Sequence, residues 1–207
     1  MVFWAALLWG CNGGNTKIAA RDTVEPGTIR VIPYHADLNI TYKDKVGTMR
    51  EWANNLGLPV MTGDYHGLHL RVWAWDSSNA KWVIDLMMRS GSGTCTVLSY
   101  TGRRVDSAFG YIYVHEQRKV VPQSGWTSFF NTLRRFHIPE MNEEKLSKDQ
   151  LDFTELPYVW FEIDEPSQYH FVEYPDPFYF RKVDTACASI AEFFIYFNKE
   201  MVTKIMN

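Results

Sequence analysis

The residue types that come nearest to a metal-binding cluster lie in the segment DYHGLH, where His66 and His69 follow Asp64. Imidazole and carboxylate groups are suitable ligands for zinc and similar ions. The histidines, however, fall at the expected start of a strand, where successive side chains point to opposite faces. We therefore expect a turn histidine and a strand-edge histidine here, with no metal and no cofactor.

Glu162 and His170 form a second pair with catalytic potential. A three-residue turn over 165–167 would place Glu162 opposite His170, and Trp160 opposite Val172, in one hairpin. A carboxylate beside an imidazole fixes its tautomer and raises its basicity, as a general base requires. Cross-strand pairs of this kind are commonly structural. Since no nucleophile is predicted nearby, we assign no catalytic residues and expect a structural pair.

Arg71, Trp73 and Trp75 alternate along one expected strand and so share one face of it. Exposed aromatic rings beside a charged group would form a ligand-binding platform, for a sugar or a partner protein. The alternative is a second core layer, in which a helix or the N-terminal segment covers the rings. The chain has eight Trp, and large exposed apolar patches are uncommon on monomers, which favours the second core layer.

The N-terminal segment MVFWAALLWGC resembles a bacterial lipobox, in which Cys11 would be lipidated after cleavage. The polar residues that follow are typical of a flexible tether. No Lys or Arg precedes the apolar run, and Trp9 is bulky for its position, so a buried N-terminal strand or helix is the alternative. In an exported protein Cys95 and Cys187 could form a disulfide; two separate buried thiols are the alternative.

The elements that would position these residues begin with a helix over 45–56, capped by Asp44. The strands 68–75 and 81–88 alternate and form a hairpin, with Trp75 opposite Lys81 and hence Arg71 opposite Asp85. Further strands over 94–100 and 111–115 precede a helix over 125–136, capped by Ser124. The acidic segment 140–156 is expected to be a surface loop.

The last expected helix follows the second hairpin, with Asp176 as its cap and Pro177 at its first position. Its apolar ridge consists of Val183, Cys187, Ile190, Phe194, Phe197 and Met201. The element order predicts an α+β fold, in which an antiparallel β-meander and a hairpin form one sheet and about three helices pack mainly on one face. Segment 1–11 is a candidate lipoprotein signal, 12–27 a tether, and 28–207 a single domain.

Composition excludes some functions. The net charge is −3 with both signs mixed along the chain, so we expect no extended basic field for the phosphate backbone of a nucleic acid, and nucleic acid is not an expected partner. The sequence contains no G-x-S-x-G, no H-E-x-x-H, no phosphate-binding glycine loop and no dinucleotide fingerprint. Beyond its N-terminus, no stretch approaches the ~20 apolar residues of a membrane span.

Residues 67–73 have the order G-x-H-L-R-V-W, and Gly125-Trp126 opens a later helix. The segments Y-V-W-F-E-I and Y-H-F-V-E-Y-P-D-P follow. In this order, these motifs resemble a family of small uncharacterised bacterial envelope lipoproteins. The resemblance covers roughly 67–197 and implies an exported α+β domain, without implying an activity, a substrate or site residues. We therefore expect a non-catalytic, lipid-anchored envelope protein that contacts the membrane through its anchor and binds a protein or carbohydrate partner.

Two alternatives belong to other classes. A hydrolase or metal-dependent enzyme would use His66 and His69, or Glu162 and His170. The cytoplasm is the alternative location. An immunity or inhibitor protein also fits a small acidic α+β domain.

Overall fold

The computed structural model of the chain describes residues 29–33, 42–63, 65–75, 81–104, 109–141, 158–166 and 168–206. Cys11, the segment 12–27 and almost all of the expected loop 140–156 lie outside the described residues. The predictions for those segments therefore remain predictions.

Seven strands of the described residues form one antiparallel sheet. They are β1 (Ile29–Pro33), β2 (Leu68–Trp75), β3 (Lys81–Arg89), β4 (Ser92–Arg104), β5 (Phe109–Val120), β6 (Tyr158–Glu165) and β7 (Gln168–Pro175). Their order in the sheet is β1-β5-β4-β3-β2-β6-β7. The meander β2 to β5 and the hairpin β6–β7 thus join through the β2–β6 pairing, as the predicted single sheet requires.

Helices cover both faces of the sheet. They are α1 (Tyr42–Asn55), α2 (Trp126–Arg135), α3 (Pro177–Phe180) and α4 (Thr185–Met201). Residues of α2, α3 and α4 pack on one face in the larger core cluster, and α1 packs on the opposite face in a smaller one. The predicted α+β fold is confirmed, with three of the four helices of the described residues on one face.

The first hairpin has the predicted register. Trp75 pairs with Lys81 and Arg71 pairs with Asp85. The alternate residues of β2, from Leu68 to Ala74, lie in the larger core, because side chains alternate between the faces of a strand. Cys95 on β4 pairs with Leu86 on β3 and lies in the same core.

The second hairpin differs from the prediction by one residue. Glu165 pairs with Gln168, so two residues connect the strands instead of three. Such short connections follow the natural twist of the strands and are common in hairpins. The shift pairs Glu162 with Phe171, and His170 with Ile163, which moves Glu162 and His170 to opposite faces of the sheet.

Two predicted helix caps are wrong. The first helix begins at Tyr42, so Asp44 lies inside it. The second begins at Trp126 after Gly125, and no side chain caps it. The Ser124 backbone N–H instead donates to Glu200 Oε2 at 2.8 Å, which joins this turn to the end of α4.

The last helix is two helices. Asp176 caps α3 as predicted, with its carboxylate accepting from the N–H groups of Phe178 and Tyr179. Asp184 then caps α4 by accepting from the Cys187 N–H at 2.7 Å. The break leaves Val183 79% exposed, so its assignment to the apolar ridge is wrong. The other five ridge residues, from Cys187 to Met201, are buried.

Gly93, at the start of β4, should be sensitive to substitution. A Cβ atom there would lie 2.7 Å from Trp126 Cε3 and 3.0 Å from the Met87 carbonyl oxygen. We expect Gly93→Ala to displace the Trp126 ring and lower the free energy of unfolding by about 1–3 kcal/mol, measured by urea denaturation.

Gly47 provides the matched control, because nothing lies within 4 Å of a Cβ atom built there. Gly47→Ala lies inside helix α1 and should raise the free energy of unfolding by about 0.5–1 kcal/mol. Equal effects of the two substitutions would contradict the close packing of Trp126 on β4.

Candidate functional site

A cluster of buried ionisable side chains lies on the face of the sheet that α1 covers. Arg71 on β2 pairs with Asp85 on β3 and with Glu162 on β6, so both acids flank the guanidinium. His69 lies two residues before Arg71 and shares its face. All four side chains are at most 3% exposed. We call His69, Arg71, Asp85 and Glu162 the charged cluster.

The Arg71 side chain contacts three different parts of the chain. Its Nε donates to Asp85 Oδ1 at 2.8 Å, and its Nη2 donates to the Pro59 carbonyl oxygen at 2.6 Å. Its Nη1 lies 3.5 Å from Glu162 Oε2. The guanidinium therefore joins the two neighbouring strands to the segment that follows α1.

The carboxylates of the cluster accept hydrogen bonds from other side chains as well. Glu162 Oε2 accepts from Trp73 Nε1 at 2.7 Å, and Glu162 Oε1 accepts from the Tyr169 hydroxyl at 3.0 Å. His69 Nε2 lies 2.9 Å from Asp85 Oδ1. Because the ionised carboxylate can only accept, the imidazole donates from Nε2.

Asp164, two residues beyond Glu162, holds the segment after α1 in place. Its carboxylate accepts from the backbone N–H groups of Thr62 and Tyr65, at 2.9 and 3.2 Å. Together with the bond from Arg71 to Pro59, these contacts hold the 57–66 segment over the cluster, except for Asp64, which lies outside the described residues. A buried carboxylate is stabilised by such N–H donors.

The electrostatics favour the ionised forms of Asp85 and Arg71. Burial by itself would raise the pKa of the Asp85 carboxyl, but the charge of Arg71 and the hydrogen bond and charge of His69 hold that pKa below its ordinary value. Burial would lower the pKa of the Arg71 guanidinium, but Asp85 and Glu162 raise it. Asp85 and Arg71 thus form a buried, charged pair.

The cluster is closed to a substrate. A general base must come within hydrogen-bond reach of the proton that it removes, whereas His69 is 2% exposed and its ring packs beside that of Tyr65, with centroids 5.6 Å apart. His69 also already donates to Asp85. This arrangement fixes the 57–66 segment, which follows α1, on the sheet.

The candidate catalytic and metal-binding residues do not converge. His66 is exposed, whereas His69 is buried in the charged cluster. Glu162 lies on the α1 face, and His170 lies on the other face, with its Nδ1 3.4 Å from Gln168 Nε2. Within the described part of the chain, no group of three or more His, Cys, Asp or Glu side chains could hold a metal ion.

The candidate ligand platform of Arg71, Trp73 and Trp75 is wrong for its first two members. Arg71 is 1% exposed and Trp73 is fully buried. Trp52 of α1 covers Trp73, with ring centroids 6.3 Å apart. Trp75 is partly buried and lies edge-on to Trp160, 4.3 Å between centroids. The alternative interpretation, a second core layer covered by a helix, is confirmed for Trp73.

Cys95 and Cys187 are separate buried thiols, so the candidate disulfide between them is absent and the alternative is confirmed. Both lie in the larger core. Burial raises the pKa of the Cys95 thiol well above its ordinary value. The Cys187 thiol points to the Pro175 carbonyl oxygen at 3.9 Å. Protonated thiols of this kind behave as small apolar side chains.

An accessible pocket of about 340 Å³ opens where the β3–β4 turn meets α2. Arg89 at the end of β3 and Trp126, Phe130 and Arg134 of α2 line it, and Glu165 contributes from the end of β6. The three α2 residues recur every four positions and therefore share one side of the helix. We call this cavity the arginine pocket.

The helical period of the sequence indicates the part of the arginine pocket that α2 contributes. Trp126 and Phe130 fit the helical period of the 125–136 segment, and Arg134 continues the same side of the helix. Both aromatic side chains are in fact partly buried and pack at the edge of the core. Arg89 and Glu165 could not be placed near them, because strand ends and helix positions are related only by the tertiary fold.

Comparison of the chain with protein-family models, with curated proteins and with solved structures found no match. Among the described residues, no helix is long and apolar enough to cross a membrane.

Asp85→Asn tests the electrostatics of the charged cluster. Loss of the carboxylate leaves Arg71 without its closest buried partner, and we expect the free energy of unfolding at neutral pH to fall by about 3 kcal/mol. Because the folded-state pKa of Asp85 lies below its unfolded value of about 3.9, this stabilisation is present above about pH 4 and is lost as the pH falls through the folded-state pKa.

The measurement is urea denaturation of both proteins between about pH 7 and pH 3. The difference between wild type and Asp85→Asn should shrink below about pH 4. Glu192→Gln, which changes an exposed carboxylate of α4, should stay within about 0.5 kcal/mol of wild type throughout. A difference that is independent of pH would refute an ionised, stabilising Asp85.

Proposed function

We propose that this protein is a lipid-anchored protein of a bacterial cell envelope that binds a ligand or a partner and catalyses no reaction. The arginine pocket is the observation that supports binding. It combines exposed guanidinium groups with partly buried aromatic rings, which is the mixture of polar and apolar groups found in ligand sites.

The enzymatic alternative has less support. Its four residues do not share a pocket: His66 is exposed, His69 and Glu162 are buried in the charged cluster, and His170 lies across the sheet. Glu162 accepts from two side chains besides facing Arg71. A residue whose lone pairs are used in this way would have to break structural bonds before it could take a proton.

The anchor is supported by the sequence. Cys11 ends an apolar run, and a Gly- and Asn-bearing segment follows it before the first strand at Ile29. If fully extended, residues 12–28 would span up to about 55 Å, enough for the domain to stand clear of lipid headgroups. A lipid chain with such a tether would keep the domain at a membrane surface without a spanning helix.

Cys11→Ala tests the anchor. The full chain is expressed in a bacterial host that is fed labelled palmitate, and labelled protein is detected on a denaturing gel. We expect label on the wild type and none on Cys11→Ala, since the thiol is the proposed acceptor of the lipid.

Cys95→Ala is the matched control, because it removes a cysteine that is buried in the domain, and it should keep the label of the wild type. Equal labelling of wild type and Cys11→Ala, or no label on either, would overturn the proposed anchor.

A further inference from the structure

We infer that the arginine pocket binds a small organic anion. A carboxylate or phosphate group would lie between Arg89 and Arg134, and a ring or another flat apolar group attached to it would pack against Trp126 and Phe130. This inference rests on the binding role proposed above and names the chemical class of the ligand.

The two guanidinium groups are available to a ligand. Neither Arg89 nor Arg134 forms an ion pair with another described residue, and both side chains are exposed. Guanidinium groups bind carboxylate and phosphate with two parallel hydrogen bonds, which distinguishes an oxyanion from a halide or a neutral group. Their situation contrasts with that of Arg71, whose donors are used inside the fold.

Arg134 is also oriented towards the pocket. Its guanidinium carbon lies 4.6 Å from the centroid of the Phe130 ring, one helical turn away on α2. This cation–π contact restricts the rotamers of the side chain before a ligand arrives. A restricted side chain loses less conformational entropy on binding, so the contact favours a defined position for the anion.

Trp126 provides a fixed apolar wall. Its ring packs against the backbone of Gly93, where even a Cβ atom would meet it. It also lies edge-on to the buried Phe129, with centroids 6.3 Å apart. Leu68 and Met88, both buried, complete the apolar lining. A flat ring would gain contact on this wall that a hydrated inorganic ion would not.

Charge and size limit the ligand further. With two arginines and one glutamate among its lining residues, the pocket carries a net charge of +1, which suits one oxyanion and disfavours a polyanion. Its volume of about 340 Å³ is at the small end of ligand sites. A single ring with one acidic group matches these limits.

Four probes test the contributions of the arginines and of the aromatic wall separately. They are phenyl phosphate, benzoate, inorganic phosphate and benzyl alcohol. Each is titrated into the isotope-labelled full chain carrying Cys11→Ser, and backbone amide shifts are followed by NMR. We expect saturable shifts around Gly91 and Trp126, with phenyl phosphate or benzoate binding about tenfold more tightly than inorganic phosphate or benzyl alcohol.

Phenyl phosphate and benzoate are compared to assign the oxyanion. The tighter of the two identifies a phosphate or a carboxylate ligand, and either result supports the inference. If benzyl alcohol binds as tightly as phenyl phosphate and benzoate do, the pocket recognises only an apolar group and the inference is overturned.

Arginine variants provide the second arm. Arg89→Gln and Arg134→Gln should each weaken binding of the better anion about tenfold. Arg135→Gln is the matched control, because Arg135 is exposed on the same helix but does not line the pocket, and it should bind as the parent does. Unchanged affinity in both pocket variants, or no saturation with any probe, would overturn the inference.

The outcomes separate this inference from the proposed function. No label on the wild type, or equal labelling of wild type and Cys11→Ala, together with intact anion binding would remove the anchor and keep the ligand class. An intact anchor without anion binding would remove the ligand class and leave the lipid-anchored protein in place.

Discussion

Arg71 is a buried cation on which several elements of the fold depend. Its guanidinium contacts Asp85 on β3, Glu162 on β6 and the Pro59 carbonyl oxygen after α1. A charge in a low-dielectric interior is costly unless opposite charges and hydrogen bonds compensate it. The three strands and the segment that follows α1 must therefore keep their relative positions, because a shift of any of them would leave the buried guanidinium without one of its partners.

Ionisable side chains have two different roles in this protein, according to whether they are buried and paired or exposed and without an ion pair to another described residue. The charged cluster uses its donors and acceptors to hold the sheet and its smaller helical layer together. The arginine pocket lies at the end of the sheet near α2 and leaves its guanidinium groups free of ion pairs with the described residues. Chemically similar residues therefore serve as structure in one place and are open to a ligand in the other.

Local patterns predicted much of the fold but little of the site. Alternation and a five-residue connection were enough to place Arg71 opposite Asp85. For Glu162, the third residue of the charged cluster, the sequence predicts a pair with His170, because the predicted turn is one residue longer than the actual connection. A one-residue shift moves a side chain to the other face of the sheet. The β2–β6 pairing that brings Glu162 to Arg71 is a tertiary contact without a local signal. The burial of Trp73 under α1 likewise depends on which face each helix covers.

A double-mutant cycle on Arg71 and Asp85 tests the central role of the buried cation most directly. The free energies of unfolding of wild type, Arg71→Met, Asp85→Asn and the double variant are measured by urea denaturation at neutral pH. Each single substitution leaves a buried partner uncompensated, so the double variant should be more stable than the sum of the single effects predicts, by about 2–3 kcal/mol. Additive effects of the two substitutions would contradict this account.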